Sequence, residues 1–152
     1  MKSVLALGWL IPLAPILGAM IVLTLLISFN RTINRLTKPV SYLLIVCVGL
    51  STVTSFLLFQ QELFGQIIDL NLVILTQKLH LALSIDKMAS IISTGFGLLI
   101  LIVMLSSYLL LDRRKGYVRY FVALAMISGS VFSFILSGEV FHRYFWWIIS
   151  WF

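Results

Sequence analysis

The residues able to do chemistry are few and far apart. His80 and His142 could ligate a metal or a haem, but neither has a second ligand at i+4 and neither falls deep in an apolar run. Both read as ordinary interfacial histidines. The one cysteine, Cys47, sits inside an apolar run, where it is a small lipid-phase side chain and has no partner for an intramolecular disulfide. Asp86 stands where an apolar run begins; a helix-start cap, a contact with a partner or a proton relay would each use a carboxylate there. Arg119 opens another run and could snorkel to the interface or pair with an acid of a partner subunit. Arg113-Arg114-Lys115 could bind anionic lipid, although a topology signal needs no more than these charges. Trp146, Trp147 and Trp151 could frame a pigment or quinone pocket, and they fit an aromatic interfacial anchor better. There is no Gly-rich phosphate loop, no metal-ligand cluster and no Ser/His/Asp arrangement. The reading is therefore no catalytic residue, no metal ligand, no cofactor and no soluble substrate.

The elements that must carry these residues are apolar. Of 152 residues, 61% are hydrophobic and only 11% are charged, against roughly 45–50% and about 25% in soluble proteins. Disorder is excluded by that hydrophobicity, and a small soluble globule has too much surface to hide it. The net charge of +6 comes from short basic clusters between apolar runs. That is a membrane-topology pattern and not a basic face for nucleic acid, so no nucleic-acid partner is expected.

Uncharged runs predict four transmembrane helices at about 4–29, 40–59, 88–111 and 120–137, each near or above the roughly 20 residues a helix needs to span. The first run is too long for the core of a signal peptide and no small-residue cleavage site follows it, so a retained helix is expected. Pro12 and Pro15 predict a kink or a late start within it. Between the second and third runs, Leu70, Leu72 and Ile74, then Leu79, Leu81, Leu83 and Ile85, alternate at period two. This predicts a β-hairpin or amphipathic extended loop at the membrane surface. Gly95 and Gly97, with Ser93 and Ser106, and Gly129 in the last span, would permit close helix contact. Tyr117 and Tyr120 are expected as interfacial aromatics. A partial, aromatic half-helix is expected at 144–152. The fold class is thus all-α integral membrane, one membrane domain over 1–152, with four transmembrane helices, a short hairpin or loop after helix two and an aromatic C-terminal half-helix.

Charge orients the chain. Arg31, Arg35 and Lys38 fill one connection, and Arg113, Arg114, Lys115 and Arg119 surround another, with only Asp112 opposing them. The positive-inside rule places both in the cytoplasm or its equivalent, for topology or lipid contact. The N-terminus and the 60–86 segment, with Glu62, Asp69 and Asp86, then lie on the lumenal or periplasmic side of a thylakoid or plasma membrane. Within the four runs no ionisable side chain lies at bilayer depth, so the chain by itself offers no proton wire and no ion-binding carboxylate.

Three stretches carry a family resemblance. Leu7-Gly8-Trp9-Leu10-Ile11-Pro12-Leu13-Ala14-Pro15-Ile16-Leu17-Gly18-Ala19, continued by Leu26-Ile27-Ser28-Phe29-Asn30, is one. Leu83-Ser84-Ile85-Asp86-Lys87-Met88-Ala89-Ser90 and Gly116-Tyr117-Val118-Arg119-Tyr120-Phe121 are the others. In order and spacing they resemble the N-terminal part of the subunit-F family of the cyanobacterial NAD(P)H–plastoquinone oxidoreductase. That family belongs with the antiporter-like subunits of complex I and of Mrp antiporters. The resemblance implies a β-hairpin between the second and third helices, on the side away from the cytoplasm.

The departures are specific. The family continues Ser-Pro-Asn after the fourth helix, and about eight residues later Trp-Glu, whose glutamate serves its proton pathway. Aligned from Ser137, this chain has Gly138 and Glu139 in place of proline and asparagine, Trp147 on the tryptophan and Ile148 on the glutamate. The family's later lysines and broken helices lie past the last residue. The resemblance therefore implies ancestry and company without carrying proton pumping over, whether the chain is a reduced homologue or a fragment. The expected function is a small non-catalytic subunit, not an enzyme on its own, packed in lipid against other integral membrane subunits of an NDH- or Mrp-type complex. The rival expectations are a part of a proton or sodium transport assembly, and a pigment-, quinone- or lipid-binding membrane protein.

Overall fold

In lipid, a backbone without water must satisfy its own N–H and C=O groups, and long uncharged runs do so as helices. The computed structural model describes residues 2–28, 37–60, 66–74, 77–85, 87–111, 116–137 and 140–151. The elements are α1 (Lys2–Ser28), α2 (Thr37–Gln60), β1 (Gln66–Ile74), β2 (Gln77–Ile85), α3 (Lys87–Leu110), α4 (Tyr117–Leu136) and α5 (Val140–Trp151). Four helical stretches, Gly8–Ser28, Thr37–Gln60, Lys87–Leu110 and Tyr117–Leu136, are long and apolar enough to cross a membrane. The chain is an integral membrane protein.

The prolines do not delay the first helix: α1 begins at Lys2 and runs through Pro12 and Pro15. Each proline removes one backbone donor, but membrane helices tolerate this where neighbouring helices pack around the site. Pro15 is fully buried. Gly116, at φ 104, precedes α4 in the left-handed region, a conformation that costs a residue with a Cβ about 1–2 kcal/mol.

The four long helices form a ring in chain order, α1 against α2, α2 against α3, α3 against α4 and α4 back against α1, with α2 and α4 also meeting across it. Neighbours run antiparallel: Ser55 meets Ser93 and Thr52 meets Gly97 between α2 and α3, while Phe96 meets Phe132 and Ser107 meets Tyr120 between α3 and α4. The larger core cluster joins Ala19, Val22 and Leu26 to Leu44, Val48, Met104, Phe121 and Ala125. A second cluster, around Ile11, Leu58, Phe132 and Leu136, lies nearer the other end.

β1 and β2 pair antiparallel in a two-stranded sheet, from Gln66↔Ile85 to Ile74↔Gln77. The register sets Leu70 opposite Leu81 and Leu72 opposite Leu79. β2 lies against α1 and α4.

α5 is a full helical segment from Val140, earlier than the expected 144, and it turns back along α4. Arg143 Nε donates to the Ser137 carbonyl at 2.9 Å, and Phe134 shares a cavity with Tyr144 and Trp147. Further along, Ile149 reaches Met126 and Ile127.

Candidate functional site

Lipid tails give two apolar helices no reason to prefer each other, so contact must come from close packing and polar bonds. The buried residues show where this happens. On α3 they are Ser90, Ser93, Gly97, Ile100, Met104 and Ser107, alternating in steps of three and four. On α2 the same stepping runs through Ser41, Leu44, Val48, Ser51, Ser55 and Leu58. These are the seams of antiparallel helix pairs. They are rich in small and hydroxyl side chains, while Leu98, Leu99, Ile102, Val53 and Phe56 face outward.

The hydroxyls of the seam are bonded. Ser55 Oγ lies 2.6 Å from Ser93 Oγ and donates to the Ser90 carbonyl at 3.3 Å, and Thr94 Oγ1 donates to Ser55 Oγ at 3.1 Å. Others return to their own helix: Thr52 to the Val48 carbonyl at 2.8 Å, Ser133 to that of Gly129 at 2.9 Å. Such back-bonding gives these seam hydroxyls a partner within their own helix. Interhelical bonds in membranes average about 0.6 kcal/mol and reach about 1.7. Ser55→Ala should therefore cost about 1–2 kcal/mol in detergent unfolding, because it removes the shared partner of Ser93 and Thr94.

The glycines expected at close contacts divide. A Cβ on Gly97 would lie 2.6 Å from Thr52 Oγ1, and one on Gly129 would run into Ile16 Cγ1. A Cβ on Gly95 meets nothing within 4 Å. Gly95 sits two residues before Gly97, about 200° around the helix, and so on the outward face; it makes no close contact within the chain. Ser106, also expected at a contact, donates instead to the Ile102 carbonyl of its own helix.

The remaining expected residues scatter. Lys38 is exposed at the start of α2. Arg31, Arg35, Asp86, Arg113, Arg114 and Lys115 lie outside the described residues. Arg119 is exposed on the first turn of α4. Tyr117, at the first position of α4, is 4% exposed, and its ring lies tilted against Phe121 with centroids 5.0 Å apart. Val118 beside it is fully buried, while Gly116 and Arg119 are exposed. Tyr120 is exposed, and its hydroxyl lies 3.0 Å from Ser107 Oγ. Trp147 and Trp151 meet edge to face at 5.8 Å, and both are exposed beside the half-buried Trp146. Trp151 is two turns, about 12 Å, beyond Arg143 along α5. Because α5 lies along α4, Trp151 sits level with the middle of α4 and not at its end. Among the described residues no group of three His, Cys, Asp or Glu could hold a metal.

The described residues thus form packing seams within the chain, and relatives match its sequence along nearly the whole length. Subunit 5 of the NAD(P)H-quinone oxidoreductase from the organellar chromatophore of Paulinella chromatophora is 30% identical over 97% of this chain. Its homologues are NAD(P)H-quinone oxidoreductase subunit 5 proteins. The chloroplastic subunit 5 of Mesostigma viride is 29% identical, and chain 5 of a Synechocystis strain 26% identical, each over 97% of this chain. The chain spans 23% of the length of the first two relatives and 22% of the third. No protein-family model matches it.

Proposed function

We propose that the chain is a small, non-catalytic membrane subunit of an NDH-type assembly, acting as one membrane domain that packs against other integral membrane subunits. The observation that carries this reading is the match to subunit 5 proteins over 97% of the chain, joined to an interior built for helix packing and bare of ionisable groups among the described span residues. The setting is a thylakoid or plasma membrane, with the N-terminus and the β1–β2 hairpin on the lumenal or periplasmic side. β2 lies against α1 and α4.

The outward face of α3 is the docking face in this reading, because α3 is the least covered of the four crossing helices. Gly95, with no neighbour of its own, gives a partner helix a place to approach closely. The test is affinity purification of the tagged chain from native membranes in gentle detergent, with mass spectrometry of what stays bound. NDH-type subunits should be recovered at fixed ratio, and Gly95→Leu should lower that recovery severalfold without unfolding the chain. Recovery of the chain alone, as a defined oligomer, would overturn the proposal.

A further inference from the structure

Between α1, α4 and α5 lies a partly enclosed cavity of about 400 Å³, within the roughly 300–1,000 Å³ range of small-ligand sites. Leu23 and Leu26 of α1, Met126 and Ile127 of α4 and Ile149 of α5 line it, and Arg119 is the one charged group among its described lining residues. We propose that this cavity binds one anionic phospholipid, with the headgroup on the Arg119 guanidinium and an acyl chain laid along the apolar wall.

The distribution of chemistry along α4 supports that occupant. Arg119 stands on the first turn, and Ile127 lies two turns deeper, about 12 Å along the axis. Charge at one end and a purely apolar wall below it match an amphiphile entering from the membrane surface. Arg119 has no ion pair with another described residue. Among the described residues the one acid is Asp69, in β1, and β1 belongs to the opposite end of the bundle. In sequence the neighbourhood is basic: Arg113, Arg114 and Lys115 precede Arg119 against Asp112. A cluster of this kind attracts anionic headgroups. The contrast lies at the other end of α5, where a cavity of about 340 Å³ is lined by Phe134, Arg143, Tyr144 and Trp147. There the arginine is already engaged, since Arg143 Nε holds the Ser137 carbonyl.

The full-length tagged chain is placed in bilayer discs of equal phosphatidylglycerol and phosphatidylcholine, and the lipid kept on gentle release is read by native mass spectrometry. One phosphatidylglycerol per chain should be retained, at least fivefold over phosphatidylcholine. Arg119→Gln should abolish the preference. Ile149→Trp, which fills the crevice, should lower retention of both lipids at least fivefold. Lys38→Gln, an equal loss of charge outside the crevice, should leave the preference intact, and 10 mM inorganic phosphate should not displace the lipid. Equal retention of the two lipids by the native chain would overturn the proposal. So would an equal effect of Lys38→Gln, which would mean general surface attraction, or displacement by phosphate, which would mean an anion site without a chain groove. Circular dichroism checks that each variant is helical; if Arg119→Gln does not fold, the native selectivity and the Ile149→Trp result still decide.

Discussion

Gly129→Leu should be the most damaging substitution in the α1–α4 contact, lowering stability by about 3 kcal/mol in SDS-titrated unfolding from mild detergent. A Cβ at this position runs into Ile16 Cγ1 and lies 3.3 Å from Ile16 Cδ1 and 3.2 Å from the Ile16 backbone nitrogen. The side-chain atoms can rotate aside, but the backbone nitrogen cannot move without shifting α1. Overpacking usually costs about 1–3 kcal/mol, and a contact with backbone puts the result at the upper end. Gly129→Ala should show a smaller loss of the same sign. Gly95→Leu is the internal control, because its Cβ meets nothing; a surface change of this kind stays within about 0.5 kcal/mol. Both glycines look alike in sequence as aids to assembly. The structure separates them: Gly129 acts through the fold of the chain itself, and Gly95 is free to act only on what lies outside it. A Gly129→Leu variant as stable as the native chain would mean that α1 and α4 do not meet here.

The difference between Gly95 and Gly97 shows what a single sequence conceals. An uncharged run long enough to cross a membrane is readable from composition, and the four crossing helices follow the apolar runs to within a few residues. Which face turns inward is harder, since both sides of such a helix are apolar and hydropathy hardly varies around it. The signal that does vary is side-chain size and polarity. Ser90, Ser93, Gly97 and Ser107 fall on one stripe of α3, joined through Ile100 and Met104 in steps of three and four, and Gly95 and Ser106 fall off it. In water a polar stripe marks the exposed face; in lipid it marks the buried one, because only there can a hydroxyl bond across to another helix. The crevice beside Arg119 was not legible, because it depends on α5 turning back along α4, a long-range feature that the aromatic composition of 140–151 does not encode.

Phe132→Ala should produce the second large loss, about 2–3 kcal/mol by the same titration. Phe132 is fully buried, and it gathers three helices around α4: Ile11 from α1, Leu58 from α2 and Phe96 from α3. Its ring meets Phe96 edge to face, with centroids 5.7 Å apart and planes at 87°. Phe→Ala in the core of a soluble protein costs about 3–5 kcal/mol, part of it the transfer of the ring out of water and part the cavity left behind. In a membrane the first part largely vanishes, because a helix separated from the bundle keeps its phenylalanine in lipid. What is lost is the cavity lining's dispersion contacts and an aromatic pair worth about 0.5–1.5 kcal/mol. The expected cost is therefore smaller than in water, yet still large for one side chain. Phe56→Ala gives the comparison, since Phe56 is 46% exposed on the outer face of α2 and leaves no internal void. If the two substitutions cost the same, the ring of Phe132 is not enclosed, and the junction of the four long helices is not where the structure places it. If Phe132→Ala costs the full soluble-core value, the separated helices are not resting in lipid, and the reference state for every energy given for this bundle is water.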